Sequence, residues 1–486
     1  MVSGKAKINV TGNCAGEMAS LFEHKMKRRL VSIFAIVSLG LTLSCSLGPE
    51  VVEPISNEIQ SAAPAPEVSF EDQTHEIVDH AQRLIEKNQR EGAVFDQKWY
   101  GFRRFGEYQE LFLAAERVLF YGGLEADVRA HIRGQYRSVI PLKKDQETGE
   151  IRVFAGRLDG GKWDYILIGQ NGREVALKTV IRLLYMAKFA DEDMKRRHRL
   201  RLPSFSKSLK VFLSPVSPSS EYLTFFKKYG IRNPDTVVIG FMGDASLLLG
   251  KMGFERPETF SDESLRALWY PNVNGKKVLL ISINGNRIFA SRSGDLIEAI
   301  YECSPDSRPL VTFLGSAGAI DAPEWVGKIV APTSVMNGDP FPREKRQGVL
   351  VHLVRNRAVG LVRLQSTHAS IESVVVETTE WAKRIKSRRV NTVDQELYHV
   401  IDAIHASPRG ADTDVYAAVL VTDNVAADVT DIRVTLEAAE ETIADTAKLR
   451  QNFFLNVFRA QGILKDAKEP EDVPQWEHPR TGTSER

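Results

Sequence analysis

Four short apolar runs in the second half of the chain constrain its fold more than any other feature: TVVIG (236–240), VLLIS (278–282), LVTFLG (310–315) and AAVLV (417–421). None alternates strictly between apolar and polar residues. A strand covered on one face alternates, whereas a strand buried on both faces of a largely parallel sheet has no solvent side to mark. Helical stretches at 295–302 and 393–404 separate several of the runs. The pattern predicts an α/β domain over residues 235–465. In open α/β sheets ligands bind beyond the carboxyl ends of the strands, so the residues after each run are the candidates. They are Gly243-Asp244, Asn284-Gly285-Asn286, Gly315-Ser316-Ala317-Gly318 and Thr422-Asp423-Asn424.

The first half reads differently. Ile77, Val78, Ala81, Leu84 and Ile85 form one helical stripe, and Leu111, Phe112, Ala115, Val118 and Leu119 a second. IRVFAGRL and WDYILIG, joined through Asp159-Gly160-Gly161, predict a hairpin between 151 and 169. A helix is expected around 175–187, and the basic run KRRHRLR (195–201) reads as a solvated face. Residues 70–230 are therefore expected to form a mainly helical α+β subdomain with a small β element. No internal repeat is visible in the sequence.

The N-terminus carries an address. Lys25, Lys27, Arg28 and Arg29 precede an uncharged run from Leu30 to Ser44 that ends at Cys45. Fifteen helical residues reach about 22 Å, short of the roughly 30 Å hydrocarbon core, so an export signal fits better than a span. The junction resembles the bacterial lipoprotein processing site, with Thr42 where that pattern usually has Leu. Lipidation at Cys45 would place the protein on a membrane of the bacterial cell envelope, facing the periplasm or the surface. Met26 is a plausible start. Residues 46–69 read as a proline-bearing flexible tether and 466–486 as a disordered tail.

Of 486 residues, 64 are Lys or Arg and 63 Asp or Glu. Without residues 1–44 the balance is 58 basic to 61 acidic, which argues against nucleic acid as a partner because phosphate neutralisation needs surplus cations. Three cysteines exclude a disulfide scaffold; Cys303 is the only thiol in the body. No Cys/His cluster suggests a metal site, and no cofactor is expected.

The loop residues allow some chemistry and exclude some. The GSAG loop, Gly315 to Gly318, permits close backbone approach to a ligand. Leu314 occupies the first glycine position of G-x-S-x-G, so Ser316 is not an α/β-hydrolase nucleophile. Asp423 follows an apolar strand, where desolvation should raise its pKa and suit it to general-acid work; capping of a loop or helix would explain it equally. Thr392 and Gln395 have capping-box spacing at the start of a helix, and Glu396 beside them either serves that helix end or accepts two vicinal sugar hydroxyls.

Taken in order, TVVIGFMGDASLLL, WYPNVNGKKVLLISINGNRIFA, FLGSAGAIDAPEWVGKIVAPTSV, VDQELYHVIDAI and AVLVTDNVA resemble the nucleoside phosphorylase and nucleosidase superfamily. The likeness covers residues 236–460 and is greatest to the methylthioadenosine/S-adenosylhomocysteine nucleosidase branch. It implies a three-layer α/β/α phosphorylase-like domain with a mixed central sheet. It also implies that Asp423 protonates the purine and Glu396 binds the ribose hydroxyls. Thr422, Gln395, Gly315, Ser316 and Gly318 would line the pocket, and Asp244 would assist water. Leu247 and Phe313 stand where phosphorylases carry phosphate-binding arginines, which favours hydrolysis. The resemblance thus implies an N-glycosidase acting on a purine nucleoside or related compound in nucleoside metabolism, with self-association. A nucleoside-binding lipoprotein without turnover, and phosphorolysis with phosphate held by Arg287 or Arg292, remain open.

Overall fold

Non-alternating strands need cover on both faces, and the computed structural model provides it for each of the four apolar runs. It describes residues 69–91, 109–142, 151–189, 208–262, 264–282, 291–320, 323–338, 350–353, 355–362, 367–371, 377–410, 413–425 and 432–464. The leader with Cys45, the tether up to residue 68, the basic run 195–201, Asn284 to Arg287 and the tail lie outside the described residues. All described residues belong to one compact unit, Pro66–Arg486.

The first half comprises β1 (Glu71–Asp72), α1 (Thr74–Glu91), α2 (Gln109–Ala114), β2 (Arg117–Gly122), α3 (Glu125–His131), β3 (Ser138–Pro141), β4 (Ile151–Arg157), β5 (Trp163–Gly169), α4 (Arg173–Lys188) and β6 (Leu209–Leu213). Its strands form one six-stranded sheet in the order β1-β6-β2-β5-β4-β3. The expected hairpin is β4–β5, antiparallel from Ile151↔Gly169 to Arg157↔Trp163. More sheet surrounds it than the sequence suggested. The second apolar stripe is split: Phe112 lies on α2, but Val118 and Leu119 belong to β2. Parallel pairing of β2 with both β5 and β6 buries its whole apolar run, and that overrides the helical spacing.

The second half comprises α5 (Pro218–Lys228), β7 (Thr236–Gly240), α6 (Met242–Lys251), β8 (Glu258–Ser261), β9 (Arg266–Val273), β10 (Lys276–Ile281), α7 (Ser291–Glu302), β11 (Leu310–Ala319), β12 (Ile329–Val330), β13 (Ser334–Asn337), β14 (Leu350–His352), β15 (Thr367–Ser370), α8 (Thr379–Ser387), β16 (Val390–Asp394), α9 (Leu397–Ala406), β17 (Val415–Asn424), α10 (Ile432–Asp445) and α11 (Ala447–Ala460). Its mixed sheet runs β14-β13-β15-β16-β11-β7-β10-β9-β8, with β17 also parallel to β11. Val237 and Ile239 pack on one face with Leu296 of α7 and Ile401 of α9. Val238 packs on the other with Leu248 of α6 and Phe454 of α11. Successive strand residues thus enter different cores, which makes a three-layer α/β/α domain. The helix expected over 393–404 starts later, at Leu397, because Val393 and Asp394 pair into β16.

The two halves share one topology. Apart from α2, which has no counterpart, the series α1-β2-α3-β3-β4-β5-α4-β6 is repeated as α5-β7-α6-β8-β9-β10-α7-β11, with the same neighbours and senses: β5∥β2∥β6 against β10∥β7∥β11, and β4 or β9 antiparallel to β5 or β10. Registers agree residue by residue. Tyr121 pairs with Ile168 and Phe212, while Ile239 pairs with Ile281 and Phe313. That alignment sets ILIGQNG (166–172) on LLISING (279–285), which keeps Asn-Gly at its end. The chain therefore contains an internal repeat that its sequence hides.

Candidate functional site

The carboxyl end of β17 is shaped by a bulge. Val421 pairs with Ala317, but Asp423 pairs with Gly318, so Thr422 is an extra residue between them. A bulge of this kind reverses the side-chain alternation beyond it. Val421 accordingly enters the core beneath α7 and α9, while Val425 joins the core on the opposite side. Asp423 is turned to that opposite side with Gly318. Thr422 is buried, and its hydroxyl lies 2.8 Å from Asp423 Oδ1 as donor and 3.4 Å from the Ala317 carbonyl. A Cβ on Gly318 would stand 2.3 Å from Val425 Cγ2 and 3.3 Å from Asp423 Oδ2. Glycine leaves room there for the Val425 side chain, and a Cβ would also crowd the carboxyl.

Burial raises the Asp423 pKa above the usual carboxylate range, against the opposing hydrogen bond from Thr422. A second carboxyl accompanies it. Glu377, the residue before the Thr378 cap of α8, is pushed up to about 8 by burial and then by the Asp423 charge. No sequence signal marked Glu377; a like-charge neighbour is visible only after folding.

Glu396 follows β16 and is buried. Its carboxyl is pushed up to about 8, first by desolvation and then by the Asp394 carboxylate; Lys178 and the Gln395 backbone N–H pull it down. The capping box expected from Thr392 and Gln395 is replaced by Asp394. Asp394 Oδ1 accepts from the backbone N–H of Glu396 at 3.1 Å and of Leu397 at 3.2 Å, and from Ser370 Oγ at 2.6 Å. His368 Nε2 lies 2.8 Å from the same oxygen. Thr392 instead faces His368 Nδ1 at 2.9 Å, since its side chain belongs to a strand. Asp394 thereby fixes the turn that presents Glu396.

Gly318 is the register partner of both Val393 in β16 and Asp423 in β17. Strand spacing sets those two backbones about 10 Å apart across β11, with Glu396 just beyond the first. Glu396 and Asp423 make no direct contact among the described interactions. Ser316 is half-buried on the Gly318 face, and Gly315 is buried near Asp394. Gln395 is half-buried and accepts a hydrogen bond from Lys178 of α4. Asp244 Oδ2 accepts from Arg450 Nε of α11 at 2.7 Å, Arg450 lies over the Phe241 ring, and no described interaction joins Asp244 to Asp423.

The two positions vacant of arginine differ: Leu247 is exposed, and Phe313 is buried. Arg292 is fully buried and committed to Tyr222 at 3.0 Å and Glu221 at 3.4 Å. Burial pushes the Cys303 thiol up to about 11. A small cleft of about 20 Å³ lies elsewhere, at the carboxyl ends of β2 and β5, lined by Gly123, Glu125, Arg152, Gln170 and Glu221. Among the described residues no group of three or more His, Cys, Asp or Glu could hold a metal ion. No described helix is long and apolar enough to cross a membrane.

By its own sheet order and layers, the second half is a mixed-sheet α/β/α domain of the kind the sequence resemblance implied. No protein-family model matches the chain, and no curated protein matches it. The solved structures it is similar to include nucleosidases and phosphorylases of the resembled superfamily. One is the 5'-methylthioadenosine nucleosidase of Arabidopsis thaliana, with 15% identity over 47% of this chain and 96% of that one, at a TM-score of 0.37. A second is the 5'-methylthioadenosine/S-adenosylhomocysteine nucleosidase of Neisseria meningitidis, with 20% identity over 45% and 98%, at 0.34. A Schistosoma purine nucleoside phosphorylase in complex with hypoxanthine shares 14% identity over 52% and 100%, at 0.37.

Proposed function

We propose that the second half of this chain hydrolyses the N-glycosidic bond of a purine nucleoside or related compound. The observation that carries the reading is the raised carboxyl of Asp423, turned by a bulge onto Gly318 beside a second carboxyl, Glu377. Cleavage of such a bond needs a proton for the departing base and negative character near the sugar cation. Asp423 gives its proton to the base nitrogen as the C1'–N bond breaks and its electron pair leaves with the base. Water adds to C1', and the proton it sheds returns to the Asp423–Glu377 pair. Glu396, in its ionised form, accepts the two ribose hydroxyls. Leu247 and Phe313 offer no charge to a phosphate nucleophile, which supports water in that role.

Export and lipidation at Cys45 complete the proposal and rest on the sequence. Detergent partitioning of the wild type against Cys45→Ala tests the anchor; equal behaviour would defeat it. The activity is tested by incubating the protein with adenosine, inosine and methylthioadenosine, with and without phosphate, and following free base. Release without phosphate is expected. Strict phosphate dependence would replace hydrolysis with phosphorolysis, and tight binding without release would leave a binding protein.

A further inference from the structure

We propose that the N-terminal repeat acts as an in-chain stand-in for a second subunit, completing the Glu396 pocket with Lys178 of α4. The repeat ends at β6, so it has no counterparts of β16, which leads into Glu396, and β17, which carries Asp423. It cannot build that site itself. It nevertheless keeps an ion pair of the full domain. Arg173 at the start of α4 meets Glu76 of α1 at 3.0 Å, as Arg292 at the start of α7 meets Glu221 of α5 at 3.4 Å.

Equivalent elements of the two repeats also meet each other. A Cβ on Gly172, which caps α4, would lie 3.3 Å from Arg292 Cδ at the start of α7. Contact between equivalent surfaces is how two copies of a subunit meet about a two-fold axis. One core runs through both: Val180, Leu184 and Ile85 cluster with Ile371, Trp381 and Val393.

Both equivalent helices grip the turn that presents Glu396. From α7, Ser293 Oγ donates to the Glu396 carbonyl at 3.0 Å. From α4, Lys178 is buried and its Nζ donates to Gln395 Oε1. The titratable groups around this turn are Lys178 and Glu174 of α4, His368 of β15, Asp394 of β16, and His399 and Asp402 of α9, with Asp295 of α7 acting with Glu174. Among those that act on the Glu396 carboxyl, Lys178 supplies the positive charge. Lys178 is thus a positioning residue: it fixes Gln395 and favours the ionised Glu396 that a ribose diol requires. This role rests on the nucleoside reading given above.

The experiment compares the full chain with Lys178→Met and Lys178→Arg. For Lys178→Met, KM for the cleaved nucleoside should rise at least about 10-fold with kcat within about threefold, and Lys178→Arg should recover most of the loss. An unchanged KM, or equal loss of kcat in both variants, overturns the proposal. A second readout does not need turnover. The carboxyl band of Glu396 in infrared difference spectra, assigned by its loss in Glu396→Gln, should titrate about one unit higher in Lys178→Met. An unmoved midpoint overturns the proposal. A moved midpoint in a protein that cleaves and binds no nucleoside sustains the coupling and defeats the nucleoside reading instead.

Discussion

Val421 and Asp423 lie two residues apart on β17 yet face opposite sides of the sheet, because the bulge at Thr422 takes up the residue between them. In a regular strand both would enter the core beneath α7 and α9. The bulge spares Asp423 that fate and brings it to Gly318 with a raised pKa. Asp423→Asn should therefore lower the rate of base release by at least about 10²-fold while leaving the fold intact. Initial rates of base release and a thermal melt check it; unchanged turnover would remove Asp423 from the chemistry.

Gly318→Ala tests the same arrangement by steric means. The added methyl would stand 2.3 Å from Val425 Cγ2, so backbone or side chain must shift. Overpacking of this kind costs about 1–3 kcal/mol. Urea denaturation should show that loss, and base release should fall with it because the Asp423 carboxyl is displaced. A variant as stable and active as wild type would mean the glycine is not required.

Asp244 should behave as a structural anchor. Its carboxylate holds Arg450, and through Arg450 it ties α6 to α11. Asp244→Asn should lower stability by about 1–3 kcal/mol, as expected for a charge-assisted hydrogen bond lost from a largely buried site. Turnover should change less than about threefold. A loss above about 30-fold with unaltered stability would return Asp244 to the role of assisting water.

Four strands of the second half were legible because a sheet covered on both faces leaves apolar runs without alternation: TVVIG is β7 to the residue, as WDYILIG is β5 in the first half. Their carboxyl ends could be located, and with them Asp423 and the GSAG loop. Three things were hidden, each for a physical reason. Register defects leave no trace in a linear pattern, so the bulge at Thr422 was not readable. The tertiary fold brings Glu377 to Asp423 and Lys178 to Glu396 from distant segments, so their electrostatic effects on each other could not be read from local sequence. The repeat was hidden because core strands need only apolar side chains, and FYG and VIG satisfy the same positions in β2 and β7. Resemblance suggested a ribose-binding role for Glu396; local spacing suggested a helix cap, a task that Asp394 performs.

Stability should depend on pH in a direction opposite to that of most acidic groups. Glu396 and Glu377 are pushed up to about 8 from 4.5, and burial pushes Asp295 up to about 7 from 3.8. Between those limits the folded chain holds protons that the unfolded chain has released, so unfolding is favoured as pH rises. The contribution is fully present below about pH 4 and is lost progressively up to about pH 8. Melting temperature should fall across the upper part of that window, from about pH 5 to 8, and Glu396→Gln should flatten the fall and stabilise the protein at pH 8. Nucleoside affinity should move the other way, strengthening as Glu396 ionises through about 8, since only the carboxylate accepts both hydroxyls. Parallel melts and binding titrations over this range check both signs. A melting temperature that rises towards pH 8 would show that Glu396 does not hold its proton in the folded state, and affinity that weakens as Glu396 ionises would show that its carboxylate does not bind the sugar.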